Sequence, residues 1–307
     1  MQQEVGNSSG PGRAFSAVAR EYYELTKPKV VMLIVFTAVV GMFMATPGFV
    51  PWTALIFGTL GIGLAAASAA GFNQILDRRA DAQMARTRAR PLPTGQLTTF
   101  QAVVFSSVIG ILAMVVLVVG VNMLTAQLTL GSLIGYSVIY TLYLKRATPQ
   151  NIVIGGAAGA APPVLGWTAV TGTVDPHALL LFLIIFVWTP PHFWALALYR
   201  VEEYAKAGLP MLPVTHGNKF TRLHILLYSI ILAAVTLLPY TTHMSGLFYL
   251  VGAVLLNIGF MYYAVKLYRN YSDALARKTF IYSVQYLAAL FAILLIDHYR
   301  VPIAAMF

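Results

Sequence analysis

Apolar residues fall into nine long runs, at about 28–46, 51–72, 100–120, 124–144, 151–171, 178–198, 223–241, 246–266 and 280–297. Each approaches the ~20 residues a helix needs to cross a ~30 Å hydrocarbon core. Backbone in lipid must satisfy its own hydrogen bonds, so runs of this length predict helices. The alternating segments of about ten residues that would make a barrel are absent. The expected fold is an all-α integral membrane protein with nine transmembrane helices around a central cavity. Two polar connections are long, about 73–99 and 199–222. They lie four helices apart, which suggests two four-helix halves and a ninth helix. Glycines and prolines inside the runs (Gly155, Gly156, Gly159, Pro162 and Pro163; Pro190 and Pro191) predict either broken helices lining a cavity or close packing.

Charge sharpens this picture. Only 10% of the chain is charged and 59% is hydrophobic, against about 25% charged for a soluble domain. Nineteen of the 20 Lys and Arg lie before or at the start of the first run, or in or at the edge of every second connection. That asymmetry predicts a cytoplasmic N-terminus and a periplasmic C-terminus. It also accounts for the net charge of +10 without nucleic acid. Residues 1–25 read as a mobile cytoplasmic tail and an interfacial helix, and 26–307 as a single transmembrane domain. No secretory or transit pattern opens the chain. There is no cysteine, so neither a disulfide framework nor a thiolate metal site is available.

One stretch, GFNQILDRRADAQMARTRARPLPTG at 71–95, gathers two aspartates and five arginines at the end of the second run. Asn73, Asp77 and Asp81 stand at i, i+4 and i+8, within about 80° on one helix face. Three oxygen-bearing side chains in line suit a hard cation, and Mg²⁺ completed by water and phosphate oxygens fits best. Arginines beside it suit a diphosphate, whose charge needs metal and guanidinium together. The competing reading is a juxtamembrane ion-pair cluster of Asp77 and Asp81 with Arg78, Arg79 and Arg86.

NQILDRRAD resembles the first aspartate-rich motif of the intramembrane UbiA-type prenyltransferases. The following MARTRARPLPTG, with YLKRATPQNIVIGGAAGAAPPVLGW (143–167), WTPPHFWALALYR (188–200) and EYAKAGLPMLPVTHG (203–217), is similar to their protohaem IX farnesyltransferase branch. The resemblance covers residues 24 to 295. It implies an Mg²⁺-dependent transfer of the farnesyl group of farnesyl diphosphate to a vinyl group of protohaem IX (haem B). Water adds, giving haem O, and the site lies within the lipid bilayer. It also implies a bacterial inner membrane, to which the short tail points as well, and haem A synthase as a partner.

The resemblance assigns Asn73, Asp77 and Asp81 as catalytic metal ligands. Glu203, standing where relatives commonly carry aspartate, becomes a second metal anchor. Arg78, Arg86, Arg90, Lys145, Lys206 and Lys219 become diphosphate contacts, though Arg78, Lys145, Lys206 and Lys219 are also explicable as orientation charges. On the acceptor side stand His192, Trp194, Asn151 and Arg200. An ionisable residue inside an apolar run, such as His192, is a functional candidate by default. The alternative for it is a bond to a carbonyl freed at the proline break, and for Asn151 a helix cap. Rival functions are a UbiA-type enzyme acting on a quinone precursor, or a transporter.

Overall fold

The computed structural model describes residues 15–304, and every regular element among them is helical. Residues 1–14 of the expected tail lie outside the described part. α1 (Phe15–Leu25) and α2 (Pro28–Met44) meet at 53°. Lys27 makes the bend in left-handed backbone, φ 51°, a conformation uncommon for a residue with a side chain. Pro28 then opens α2 at a position where its missing N–H has no intrahelical partner to lose.

α3 (Thr59–Gln83) enters through a π-helical stretch, Ala54–Gly58. α4 (Thr99–Gly120) is opened by a reciprocal cap between Thr98 and Gln101. α5 (Met123–Ile134) continues through a π-helical run, Gly135–Leu144, into the single turn α6 (Lys145–Ala147). α7 (Asn151–Ala160) and α8 (Pro162–Thr171) make one span interrupted at Ala161. α9 (Pro176–Leu198) stays helical through Pro190 and Pro191. The second long connection holds short α10 (Val201–Lys206) and α11 (Leu212–Thr215). α12 (Gly217–Val235), α13 (Leu238–Thr241), α14 (Leu247–Arg269) and α15 (Asp273–Ala304) complete the chain.

Eight helices or joined helices are long and apolar enough to cross a membrane, and nine if the bent α1–α2 pair counts as one span. The nine apolar runs therefore correspond to nine helical spans. Two bounds move. The second span carries on to Gln83, so the first eleven residues of the expected loop 73–99 are helix. The last helix starts at Asp273, well before residue 280.

Large apolar side chains such as Ile111, Val119, Leu255 and Ile258 are exposed on the outside, the surface expected where the solvent is lipid. Inside, α8, α9, α14 and α15 share a core containing Trp167, Trp188, Tyr286 and Phe291. α2 and α8 touch backbone to backbone. A Cβ at Gly41 would stand 2.2 Å from the Pro163 carbonyl oxygen, and one at Gly166 1.8 Å from that of Ala38. Small residues permit such approach between membrane helices. The last helix returns to the first. Tyr299 donates to the carbonyls of Phe43 (3.1 Å) and Gly48 (2.9 Å), and His298 Nε2 lies 2.9 Å from that of Thr46.

Candidate active site

The i, i+4, i+8 spacing holds. Asn73, Asp77 and Asp81 lie on the last three turns of α3, and all three are buried. Asn73 Nδ2 donates to Asp77 Oδ2 (3.0 Å) and to the Thr141 hydroxyl (3.1 Å). The π-helical run places that hydroxyl, which itself donates to the Tyr136 carbonyl five residues back (2.8 Å). Thr87 Oγ1 donates to the Asp81 carbonyl (2.9 Å) and folds the following loop against the helix end.

Three cations face these acceptors. Lys145 pairs with Asp77 Oδ2 at 2.6 Å, and Arg90 with Asp81 Oδ2 at 2.6 Å. The Lys27 ammonium donates to Asn73 Oδ1. The ion-pair reading is thus realised by different partners from those anticipated. Arg78 is exposed and donates to the Ile75 carbonyl of its own helix (2.9 Å). Arg79 and Arg86 are exposed as well. Nothing in its local sequence separates Lys27 from Lys29. Its role comes from the left-handed bend, which brings it to a residue 46 positions away.

The residues fit a hard cation. Asp77 Oδ1 is buried and has no hydrogen-bond partner, an arrangement that costs energy unless something accepts its charge. Among the described residues no three His, Asp or Glu side chains gather as a metal cage. Two carboxylates and an amide, each giving one oxygen, leave about half of an octahedron to water and phosphate, in keeping with the waters Mg²⁺ retains.

The structure does not bring Glu203 into this set. Its carboxylate is held by Arg200 on its own turn (3.0 Å), a partner the helical i, i+3 spacing favours. The second connection nevertheless feels the charge of the first. Burial raises the pKa of the Tyr204 hydroxyl, and Arg86 from the first connection opposes that shift together with Arg200. Lys206 and Lys219 are exposed.

On the acceptor side the residues separate. Trp194 is fully enclosed and packs edge-on against Tyr228 of α12 (5.2 Å), so it belongs to the α9–α12 contact. Arg200 lies over the Tyr199 ring besides holding Glu203. Asn151 is not a side-chain cap: its Nδ2 donates to the Thr148 carbonyl (2.6 Å), and its Oδ1 is a buried acceptor without a partner. His192 does not bond a carbonyl freed by the prolines. It is buried between the Trp188 and Phe280 rings, with Nδ1 2.7 Å from the Ser283 hydroxyl.

A ring of spans with one acid-and-amide helix end, met by lysine and arginine, defines an intramembrane helical protein suited to an anionic headgroup. Residues 34–292 match the UbiA prenyltransferase family, and the chain belongs to it. Over 280 residues it is 63% identical to the protoheme IX farnesyltransferase of Nitrosospira multiformis, covering 91% of this chain and 94% of that one. Over the same length it is 62% identical to that of Nitrosococcus oceani, with the same coverage. Among solved structures its fold is similar to a digeranylgeranylglyceryl phosphate synthase (TM-score 0.78, 18% identity, 92% of this chain and 99% of that one). It is also similar to a UbiA homolog from Archaeoglobus fulgidus bound to DMAPP and Mg²⁺ (TM-score 0.59, 17% identity, 89% and 99%). At these identities the structures speak to fold alone.

Proposed function

We infer that this chain transfers the farnesyl group of farnesyl diphosphate to a vinyl group of protohaem IX, with addition of water, giving haem O and diphosphate. The observation that carries this reading is identity of 58–63% to protoheme IX farnesyltransferases over at least 91% of the chain. The buried Asn73–Asp77–Asp81 face supports it chemically. These three residues would hold Mg²⁺, which supplies neutralisation of charge at the leaving diphosphate; a homolog of the same fold binds Mg²⁺.

Lys145, Arg90 and Lys27 put positive charge beside that face, where a low local dielectric strengthens it, and Arg86 is a further proposed diphosphate contact. Lys206 and Lys219 of the second connection, and Arg78, are further proposed diphosphate contacts. The bond between farnesyl C1 and the diphosphate oxygen breaks, and its electron pair leaves with diphosphate. The vinyl π electrons form the new carbon–carbon bond. Water then adds to the cation left on the porphyrin side chain and loses a proton. No protein nucleophile is needed. Apolar walls keep water from the allylic cation until the vinyl group meets it.

His192 and Asn151 are the proposed acceptor-side residues, because both keep nitrogen or oxygen atoms in an otherwise apolar bundle. The basic connections support a diphosphate mouth on the cytoplasmic side of a bacterial inner membrane, and haem A synthase is the proposed recipient of the product. Expression of the full chain followed by extraction of haems tests the reading. A farnesylated haem formed from farnesyl diphosphate and protohaem is expected. Prenylation of 4-hydroxybenzoate, with protohaem left unmodified, would overturn it.

A further inference from the structure

His192 is the buried histidine among the six of this chain, 7% exposed. Its ring lies nearly parallel to Trp188 on one side (centroids 4.2 Å, 19°) and to Phe280 on the other (4.6 Å, 26°). Two such neighbours block rotation about χ2, so the imidazole edge has a fixed direction. Phe193 closes on it edge-on at 4.9 Å.

The hydrogen bonds determine which nitrogen carries the proton. Ser283 on α15 is fully buried, and its hydroxyl has a single proton. That proton goes to the Phe280 carbonyl, 2.6 Å away on the same helix. At 2.7 Å from His192 Nδ1 the serine oxygen must therefore accept. Nδ1 carries the hydrogen, and Nε2 carries the bare lone pair. Trp188 Nε1 donates to the Ser283 carbonyl at 2.9 Å, so the serine is itself pinned by a wall of the same aromatic box. Nε2 makes no hydrogen bond, and it is not among the fully enclosed unpartnered atoms. A neutral imidazole whose Nδ1–H is held from behind is the arrangement that orients a histidine toward a metal.

We propose that Ser283 is a positioning residue that holds His192 as the Nδ1–H tautomer and offers the Nε2 lone pair to the iron of the protohaem substrate. This rests on the acceptor-side reading of His192 given above. An iron held at one axial position sets the porphyrin plane, and with it the distance from the vinyl group to farnesyl C1. Ser283 acts 91 residues away in sequence from the histidine it orients.

The test uses the full chain in lipid nanodiscs, titrated with haem B and followed by magnetic circular dichroism. The parent should show imidazole-ligated iron. His192→Ala should lose that signature, and added imidazole should restore it. Ser283→Ala should keep farnesyl diphosphate binding but weaken haem binding about tenfold or more, and Ser283→Thr should recover most of it. A spectrum unchanged in His192→Ala overturns the acceptor-side reading and the inference together. Loss in His192→Ala with a parent-like titration in Ser283→Ala overturns the inference alone. Should Ser283→Ala fail to bind farnesyl diphosphate, ¹⁵N spectra of histidine-labelled parent decide: a protonated Nδ1 at His192 supports the proposal, and a protonated Nε2 overturns it.

Discussion

The two oxygens of Asp77 have different surroundings. Oδ2 receives Lys145 and Asn73, while Oδ1 is buried with no donor. Asp81 presents one oxygen to Arg90 from the next loop. Replacing either carboxylate by its amide keeps the shape and removes the charge that a cation needs. Asp77→Asn and Asp81→Asn should each lower diphosphate release on the order of hundredfold or more, measured on the monodisperse fraction so that misfolded protein is excluded. Full turnover in both would end their assignment. The spacing of Asn73, Asp77 and Asp81 was readable because a helix translates sequence distance directly into angle. Lys27 was not, because its contact depends on one left-handed residue between two helices. Trp194 illustrates the converse. An aromatic beside a histidine looks alike whether it faces a chamber or a neighbouring helix, and here it faces α12. Glu203 likewise kept the right charge for a ligand, yet a closer arginine on the same turn takes it.

At the scale of elements, the interrupted spans behave in opposite ways. Pro162 and Pro163 start α8 afresh and set its backbone against α2, whereas Pro190 and Pro191 lie within an unbroken helix. Sequence marks both pairs identically, and only the neighbouring helix decides between them. Gly166 meets the Ala38 carbonyl and has no room for a methyl group, while Gly159 on the adjoining α7 meets nothing within 4 Å. Gly166→Ala should therefore destabilise the protein by about 1–3 kcal/mol through overpacking, and Gly159→Ala should leave it unchanged. Thermal unfolding of the two variants in the same detergent checks the contrast. Equal midpoints would mean that α2 and α8 do not depend on this approach. The π-helical run Gly135–Leu144 was invisible beforehand, since its residues are as apolar as those of any spanning α-helix. It matters because the altered winding points Thr141 at Asn73.

For the whole molecule, the nine apolar runs made the membrane architecture legible, since lipid imposes a length on each span. The tertiary closure was not legible, because it joins residues some 250 positions apart. The polar mouth also has a bearing on metal removal. Lys145 and Arg90 each pair with one carboxylate of the Asn73–Asp77–Asp81 face, and Lys27 donates to its amide. Chelation with EDTA should therefore abolish diphosphate release while the unfolding midpoint stays within a few degrees of the untreated protein, and added Mg²⁺ should restore turnover. Collapse of the fold on chelation would instead make the metal structural. The clasp between Tyr299, His298 and the end of α2 carries a consequence for synthesis. The first spans can insert as they emerge, but the serine that orients His192 and the hydroxyl that ties α15 to α2 both come from α15. Until α15 has been made, His192 lacks its partner and the end of α2 lacks its clasp, so both wait on the last of the described spans.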